Sequence, residues 1–277
     1  MISTTIDDAD PPFREVDLAG LKLRVLANNG DAGWYQQRQR FEERVSLLYD
    51  FLDREEFELL VDVGANVGLI TLTALLKAPR LRALAIEADP RVRTLLRRNI
   101  ETHLGVDSQR VRVEGAIVGD EELPEAGFSL NPGGTLDNRV NMPTWQQIAV
   151  PMRTLDSLLA SEDLAEQKVF IKIDTQGFEA RVLKGAEKPL ASLNNWVMKM
   201  EFAPDWLRSQ GTDPMELLCY LGERYEIAEF PERIPYGTPS IDALFAHPLR
   251  STEYARFLNY VVSLNDKGLG WVDLIVR

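Results

Sequence analysis

The hydrophobic positions of this chain form short β-branched runs, followed by a turn and then by apolar positions at helical spacing. The clearest case is Leu59–Leu75, where the run ending at Val63 precedes two glycines, Gly64 and Gly68, and then an apolar segment of helical length. This pattern predicts a strand, a glycine turn and a helix in that order. In open α/β sheets, such a turn after the first strand is a site for a nucleotide or nucleoside.

Two further apolar runs end in a carboxylate. The run Leu81–Ile86 is followed by Glu87, and the alternating run Val169–Ile173 is followed by Asp174. Parallel strands bring their carboxyl ends to the same edge of a sheet. If these strands are parallel, we expect Gly64, Glu87 and Asp174 to surround one crevice.

The spacing of the glycines narrows the choice of ligand. They read G-x-x-x-G with Asp62 two residues before the first, whereas a dinucleotide fingerprint reads G-x-G-x-x-G and a P-loop reads G-x-x-x-x-G-K-[ST]. A wider turn beside an acidic strand end favours a ligand with an ammonium and a carboxylate but no phosphate, such as S-adenosylmethionine (SAM). Glu87 would then accept the two ribose hydroxyls, and Ala116 would border the adenine. The alternative is an ordinary βαβ unit with a tight turn.

The pattern continues along the chain. The further predicted elements are a helix beginning at Asp89-Pro90, a third strand at Val111–Val113 with its exit at Gly115–Asp120, a capped helix at Thr154–Leu159, a helix from Gly177 to Gly185, a strand at Trp196–Glu201, a helix at Pro214–Leu221, an outer strand at Tyr225–Phe230, a helix at Tyr254–Leu264 and a final strand at Trp271–Val276.

Two stretches depart from this alternation. Near the start, Phe13–Val25 alternates about a glycine turn and predicts a hairpin, and Gln36–Leu52 has helical spacing. Later, 119–150 is rich in Gly, Pro and Asn, so we predict an irregular loop insertion that is functional, acts as a lid or is mobile. Within it, Asp137, Asn138, Arg139 and Trp145 would contact a hydroxylated acceptor, or would only be loop structure. The chain is therefore divided into an N-terminal extension, 1–54, and a main domain, 55–277.

Composition excludes several classes of function. The 277 residues suit one large α/β domain with additions. The net charge of −12 and the lack of a long basic run argue against a nucleic-acid partner. The single cysteine, Cys219, excludes an internal disulfide and a cysteine metal cluster. With no signal-peptide pattern and no apolar run of membrane-spanning length, we expect a soluble cytoplasmic protein without membrane contact.

Four segments together resemble the FkbM family of SAM-dependent methyltransferases. They are VDVGANVG, IEAD, TLDSLL and IKIDTQGFEARVLKGA, in this order, and the resemblance covers Asp62–Glu201, about half of the chain. It implies a Rossmann-like, seven-stranded and mostly parallel sheet whose last strand is antiparallel, with helices on both faces. It also implies methyl transfer from SAM to a hydroxyl of a sugar, glycan or natural product, with S-adenosylhomocysteine (SAH) as the second product.

The resemblance assigns roles to particular residues. Gly64, Asn66 and Gly68 would form the turn under the methionine part of SAM, Glu87 would bind the ribose, and Asp174 would lie beside the reacting centre. Family members often have Val-Glu after this aspartate. This chain has Thr175-Gln176 instead, so a role that needs a carboxylate at position 176 does not carry over.

Methyl transfer to oxygen requires a group that removes a proton from a weakly acidic hydroxyl. The local candidates are Asp174, Lys172, Glu179 and Glu201, and Asp174 is favoured as the base or as the group that orients the hydroxyl. Lys172 lies on the same face of the strand as Asp174. The alternative to a catalytic role for Lys172 is an ion pair with Asp174. Glu179 would alternatively only complement its helix N-terminus, and His247, in a later loop, is an alternative base.

Other readings stay open at this stage. One is that Asp174 and Glu201 share a Mg²⁺ ion. Only two carboxylates are evident for this site, so we expect no metal there. The alternatives to O-methyl transfer are an N-methyltransferase of a small molecule and a SAM-binding scaffold without turnover. The expected partner is a small hydroxylated or saccharide acceptor, and a homodimer is compatible with the sequence.

Overall fold

The computed structural model describes residues 11–27, 30, 52–140, 142–230 and 240–277. The helix expected at Gln36–Leu52 lies outside the described residues apart from its last residue. The two expected parts of the chain, 1–54 and 55–277, stay a prediction.

The described elements follow the predicted order closely. The strands are β1 (Phe13–Leu18), β2 (Leu21–Leu26), β3 (Leu59–Val63), β4 (Arg82–Ile86), β5 (Val111–Glu114), β6 (Ile117–Val118), β7 (Leu123–Leu130), β8 (Arg139–Val140), β9 (Gln146–Arg153), β10 (Lys168–Ile173), β11 (Asn195–Phe202), β12 (Ile227–Phe230) and β13 (Val272–Val276). The α-helices are α1 (Leu69–Lys77), α2 (Pro90–Leu104), α3 (Leu155–Leu158), α4 (Glu179–Lys184), α5 (Glu187–Ser192), α6 (Pro204–Ser209), α7 (Pro214–Gly222), α8 (Ile241–Leu244) and α9 (Tyr254–Ser263). In the described part of the chain, none is long and apolar enough to cross a membrane.

Seven strands form the central sheet in the order β12-β13-β11-β10-β3-β4-β5. The five strands from β11 to β5 are parallel to one another, whereas β13 is antiparallel to both β11 and β12. This confirms the predicted fold class. Val63 pairs with Ile86 on one side and with Ile173 on the other. Three neighbouring strands therefore end in register, and the next residues emerge at one edge.

Alternation along the buried strands gives the sheet two apolar faces. Leu60 and Phe170 belong to the core covered by α1 and α2, whereas Val61 packs in the opposite core with α4, α6, α7 and α9. Asp62 lies two residues after Leu60, and Lys172 lies two residues after Phe170. Both side chains therefore point to the face of the sheet that α1 and α2 cover. The fold thus places a buried carboxylate and a buried ammonium side by side beneath the site.

The N-terminal hairpin predicted from alternation is confirmed, because β1 and β2 pair antiparallel. It is joined to the main sheet through Asn99 of α2, which is almost fully buried. Asn99 exchanges two hydrogen bonds with the backbone of Arg24, and its Nδ2 also donates to the carbonyl of Val67 at 2.9 Å. The hairpin, α2 and the glycine turn are therefore linked by one side chain.

The prediction of an irregular loop at 119–150 is wrong. This segment forms most of a second sheet, in the order β6-β9-β7-β8, and its apolar side chains make a separate core with Phe178. Alternating apolar positions, such as Phe128 and Leu130, were present but stood between Gly, Pro and Asn residues that suggest turns. Ile117–Val118, expected as the exit of the third strand, instead pairs with β9.

Candidate active site

Three of the five residues in the turn between β3 and α1 have a left-handed backbone conformation. The φ angle is +77° at Gly64, +50° at Asn66 and +90° at Gly68. The amides of Gly64 and Ala65 both donate to the carbonyl of Ile86 at 3.0 Å. The turn is therefore held to the end of β4, beside the residue that follows it, Glu87.

Close packing of the backbone also requires a glycine at position 64. A Cβ at this position would overlap the carbonyl oxygen of Asp174. The amide of Asp174 donates to the carbonyl of Val63 at 3.2 Å, so the ends of β3 and β10 touch here. The absence of a side chain at Gly64 thus sets how closely Asp174 approaches the turn.

The strand ends open into a pocket with about 660 Å³ of space, including its mouth. Its lining contains these residues selected from the sequence: Gly64, Asn66, Glu87, Ala116 and Asp174. The other selected residues, which do not line it, are Asp62, Gly68, Lys172 and Glu201. The pocket lining therefore separates residues placed to touch a ligand from residues that support the pocket walls.

Glu87 is 7% exposed and holds two backbone amides of the pocket wall. Its Oε2 accepts from Asn66 N at 2.9 Å and its Oε1 accepts from Asp89 N at 2.8 Å. Burial raises the pKa of Glu87 to about 7, although these two hydrogen bonds oppose the shift. A carboxylate has about four lone-pair sites, so two acceptor sites are left for a ligand.

Lys172 lies behind the pocket, where it is 5% exposed. Its ammonium donates to the carbonyl of Gly64 at 2.8 Å, and lies 3.3 Å from Asp62 and 3.5 Å from Asp174. Burial lowers the pKa of Lys172, but the charges of Asp62 and Asp174 outweigh burial and raise it above its ordinary value. Lys172 thus keeps its proton at neutral pH, and its contacts support the glycine turn.

Asp174 is the selected catalytic residue that reaches the pocket, with a side chain that is 37% exposed. Glu201 lies behind it and is bridged to it by the side-chain amide of Gln176. Burial is the largest cause that raises the pKa of Glu201 well above its ordinary value, followed by the charge of Asp174. The Gln176 amide therefore links the carboxylate that reaches the pocket to a buried carboxylate behind it.

The segment between β7 and β8, together with β8 itself, supplies a further wall of the pocket. Thr135, Leu136, Asn138 and Val140 line the pocket. Asn138 donates from Nδ2 to Asp89 Oδ2 at 3.0 Å, which ties this wall to the strand end that carries Glu87. Asn138 was among the polar residues expected from the sequence to contact an acceptor, whereas Thr135, Leu136 and Val140 were not.

The remaining candidates do not line the pocket. His247 is exposed and does not line it. Glu179 accepts from the backbone amides of Thr175 and Gly177, so it stabilises the turn before its own helix. Within the described ranges, no three His, Cys, Asp or Glu side chains converge in an arrangement that could hold a metal ion.

Comparison with known proteins gives a family match. The sequence model of the methyltransferase FkbM domain matches residues 62–227, more than half of the chain. The AMB antimetabolite synthetase AmbE of Pseudomonas aeruginosa is 31% identical over 132 residues, which are 48% of this chain and 6% of that protein. The matched region is thus a small part of that curated relative.

Three solved structures are similar at low sequence identity. The methyltransferase FkbM of Methylobacillus flagellatus has a TM-score of 0.47 and 16% identity, over 80% of this chain and 44% of that chain. TYW2 of M. jannaschii, in complex with AdoMet, has a TM-score of 0.42 and 12% identity, over 98% and 87%. An O-methyltransferase of Bacillus cereus, in complex with SAH, has a TM-score of 0.39 and 14% identity, over 84% and 78%.

Proposed function

The chain belongs to the FkbM family of methyltransferases, and from this premise we propose that it is a SAM-dependent O-methyltransferase. Its acceptor would be a hydroxyl of a sugar, a glycan or another hydroxylated natural product. The observation that carries the proposal is the meeting of the glycine turn, Glu87 and Asp174 in one pocket. The reaction needs a turn that binds SAM, a buried carboxylate that accepts hydrogen bonds from the ribose hydroxyls, and a base that takes a proton from the methyl acceptor.

The proposed cofactor position follows from the pocket walls. The free lone pairs of Glu87 would accept the ribose hydroxyls, and Ala116 and Phe128 would border the adenine. The turn from Gly64 to Gly68 would lie under the methionine part. When bound, SAM supplies an electrophilic methyl group on a sulfonium, and it would place that group near Asp174.

Asp174 would act on the acceptor. Its carboxylate would take the hydroxyl proton while the acceptor oxygen accepts the methyl group, with SAH as the leaving group. Lys172 is a poor candidate for this step because its raised pKa keeps it protonated. Its proposed contribution is to hold Asp174 and the carbonyl of Gly64 in place.

Methyl transfer from SAM labelled in the methyl group tests the proposal. The purified chain is incubated with labelled SAM and an extract of the producing cell, and the labelled product is identified. We expect an ether-linked methyl group on a hydroxylated product together with SAH. Label on nitrogen would assign an N-methyltransferase, and SAM binding by calorimetry without transfer to a hydroxyl panel would assign a binding scaffold. No binding of SAM would overturn the cofactor assignment.

The proposed contact between Glu87 and the ribose predicts a pH dependence of SAM affinity. The ionised carboxylate accepts hydroxyl hydrogens better than the neutral acid, and burial raises the pKa of Glu87 to about 7. Affinity is therefore expected to rise with pH and to be about tenfold weaker at pH 6 than at pH 8. Calorimetry at several pH values measures this.

Glu87→Gln is the control for this dependence. Its amide cannot ionise, so SAM affinity should be lower at pH 8 and nearly flat between pH 6 and 8. Without ligand, the raised pKa has a second consequence: the Glu87 contribution to stability is present below about pH 4.5 and is lost as pH rises through about 7. A wild-type affinity that does not change with pH would remove Glu87 from the ribose contact.

A further inference from the structure

Gln176 lies between the two carboxylates at the back of the pocket. Its Nε2 is 2.8 Å from Asp174 Oδ1 and 3.2 Å from Glu201 Oε2. A side-chain amide nitrogen has two N–H groups, so it can donate one hydrogen bond to each carboxylate. Its Oε1 is buried and has no hydrogen-bond partner among the described residues. The two hydrogen bonds to the carboxylates are therefore the polar contacts that hold this side chain.

The backbone that presents Gln176 is held in an uncommon conformation. The φ angle is +58° at Gln176 and +102° at Gly177, in the left-handed region that side chains disfavour. Glu179 stabilises this turn, because its Oε1 accepts from Thr175 N at 2.9 Å and from Gly177 N at 3.2 Å. Uncommon backbone of this kind persists where the surrounding structure imposes it, often at functional sites. The turn directs Gln176 back toward Asp174.

Asp174 is thereby held from two sides. Its Oδ1 accepts from the Gln176 amide, and its Oδ2 lies 3.5 Å from the Lys172 ammonium. The amide is uncharged, so it supplies a donor without adding a third negative charge beside Asp174 and Glu201. A glutamate at position 176 would add that charge and would have no N–H to donate.

We propose that Gln176 is a positioning residue, which holds the Asp174 carboxylate in the orientation that takes the proton from the acceptor hydroxyl. The inference rests on the proposed O-methyltransferase function. Gln176 acts through Asp174 and also separates it from Glu201.

The first test measures the bridge without any acceptor. The carboxyl carbon of Glu201 is followed by ¹³C NMR as a function of pH in the wild-type chain and in Gln176→Leu. The leucine variant removes a donor to the ionised Glu201, so its titration midpoint should rise by about one pH unit. The other charges that act on Glu201, on Asp174, Glu179, Asp273 and Lys199, are the same in both chains.

If the titration midpoint of Glu201 is the same in Gln176→Leu as in the wild-type chain, Gln176 does not donate a hydrogen bond to Glu201. If Gln176→Leu fails to fold, Gln176→Glu keeps the side-chain length and adds a negative charge, and the same upward shift is expected. Gln167→Leu is the matched control, since Gln167 precedes β10 at the end of the strand opposite to Asp174. Its Glu201 midpoint should equal that of the wild-type chain. This readout needs no SAM, so it stays informative if the proposed function fails.

The second test asks whether Gln176 acts through Asp174. With labelled SAM and the acceptor identified from the cell extract, Gln176→Leu should lower kcat about 10- to 100-fold and leave the KM for SAM within about threefold. In an Asp174→Asn background, the same substitution should cause no further loss, because residues that act as a unit are not additive. Equal losses in both backgrounds would show that Gln176 does not position Asp174.

Discussion

Gly64→Ala is expected to lower SAM affinity more than about 100-fold and to destabilise the fold by about 2–5 kcal/mol. Two costs add at this position. The φ angle of +77° is unfavourable for any residue with a Cβ, and that Cβ would overlap the carbonyl oxygen of Asp174. The ends of β3 and β10 would have to separate, which displaces both the turn and the proposed base. Calorimetry with SAM and thermal unfolding measure the two effects.

Gly20→Ala is the matched control. Gly20 also has a left-handed backbone, with a φ angle of +76°, but a Cβ there meets nothing within 4 Å. The substitution should cost about 1–2 kcal/mol of stability and leave SAM affinity unchanged. If both variants bind SAM as the wild-type chain does, the turn at Gly64 is not the cofactor site.

Asp174→Asn is expected to reduce kcat by about 100- to 10,000-fold, the usual contribution of a general base. SAM affinity should change only several-fold, because Glu87 and the glycine turn supply the proposed cofactor contacts. The asparagine keeps the size of the side chain and loses the basic oxygen. Methyl transfer from labelled SAM measures kcat, and calorimetry measures binding.

Asp163→Asn serves as the control for this loss of a carboxylate. Asp163 is exposed and precedes β10, away from the pocket. Its variant should turn over at the wild-type rate. Normal turnover by Asp174→Asn would exclude Asp174 as the base and would leave Glu201 as the next carboxylate to test.

The central sheet was predictable because its signals are local. Each buried run has strand length, and each is followed by a turn or helix start that can be read within about ten residues, as at Asp89-Pro90. The second sheet was missed for the opposite reason. β7 and β9 stabilise each other by pairing across the polar stretch 131–145, and neither has a strong enough pattern to be recognised alone.

The site shows the same division between local and distant signals. The convergence of Gly64, Glu87 and Asp174 was expected from the fold class, because parallel strands in register finish at one edge. The position of Lys172 on the same strand face as Asp174 was also expected. Its contact with the carbonyl of Gly64 was not, since that contact depends on the separation of two strands 108 residues apart in the chain.

Sequence alone determined the family, the fold class implied by it and the side chains available at the strand ends. Periodicity and turn chemistry are properties of neighbouring residues, so they survive without coordinates. Only the tertiary structure decided which of those side chains face the pocket, which lie behind it, and that Gln176 joins Asp174 to Glu201. These outcomes depend on distances between segments far apart in the chain, and distances of a few ångströms decide whether a hydrogen bond forms.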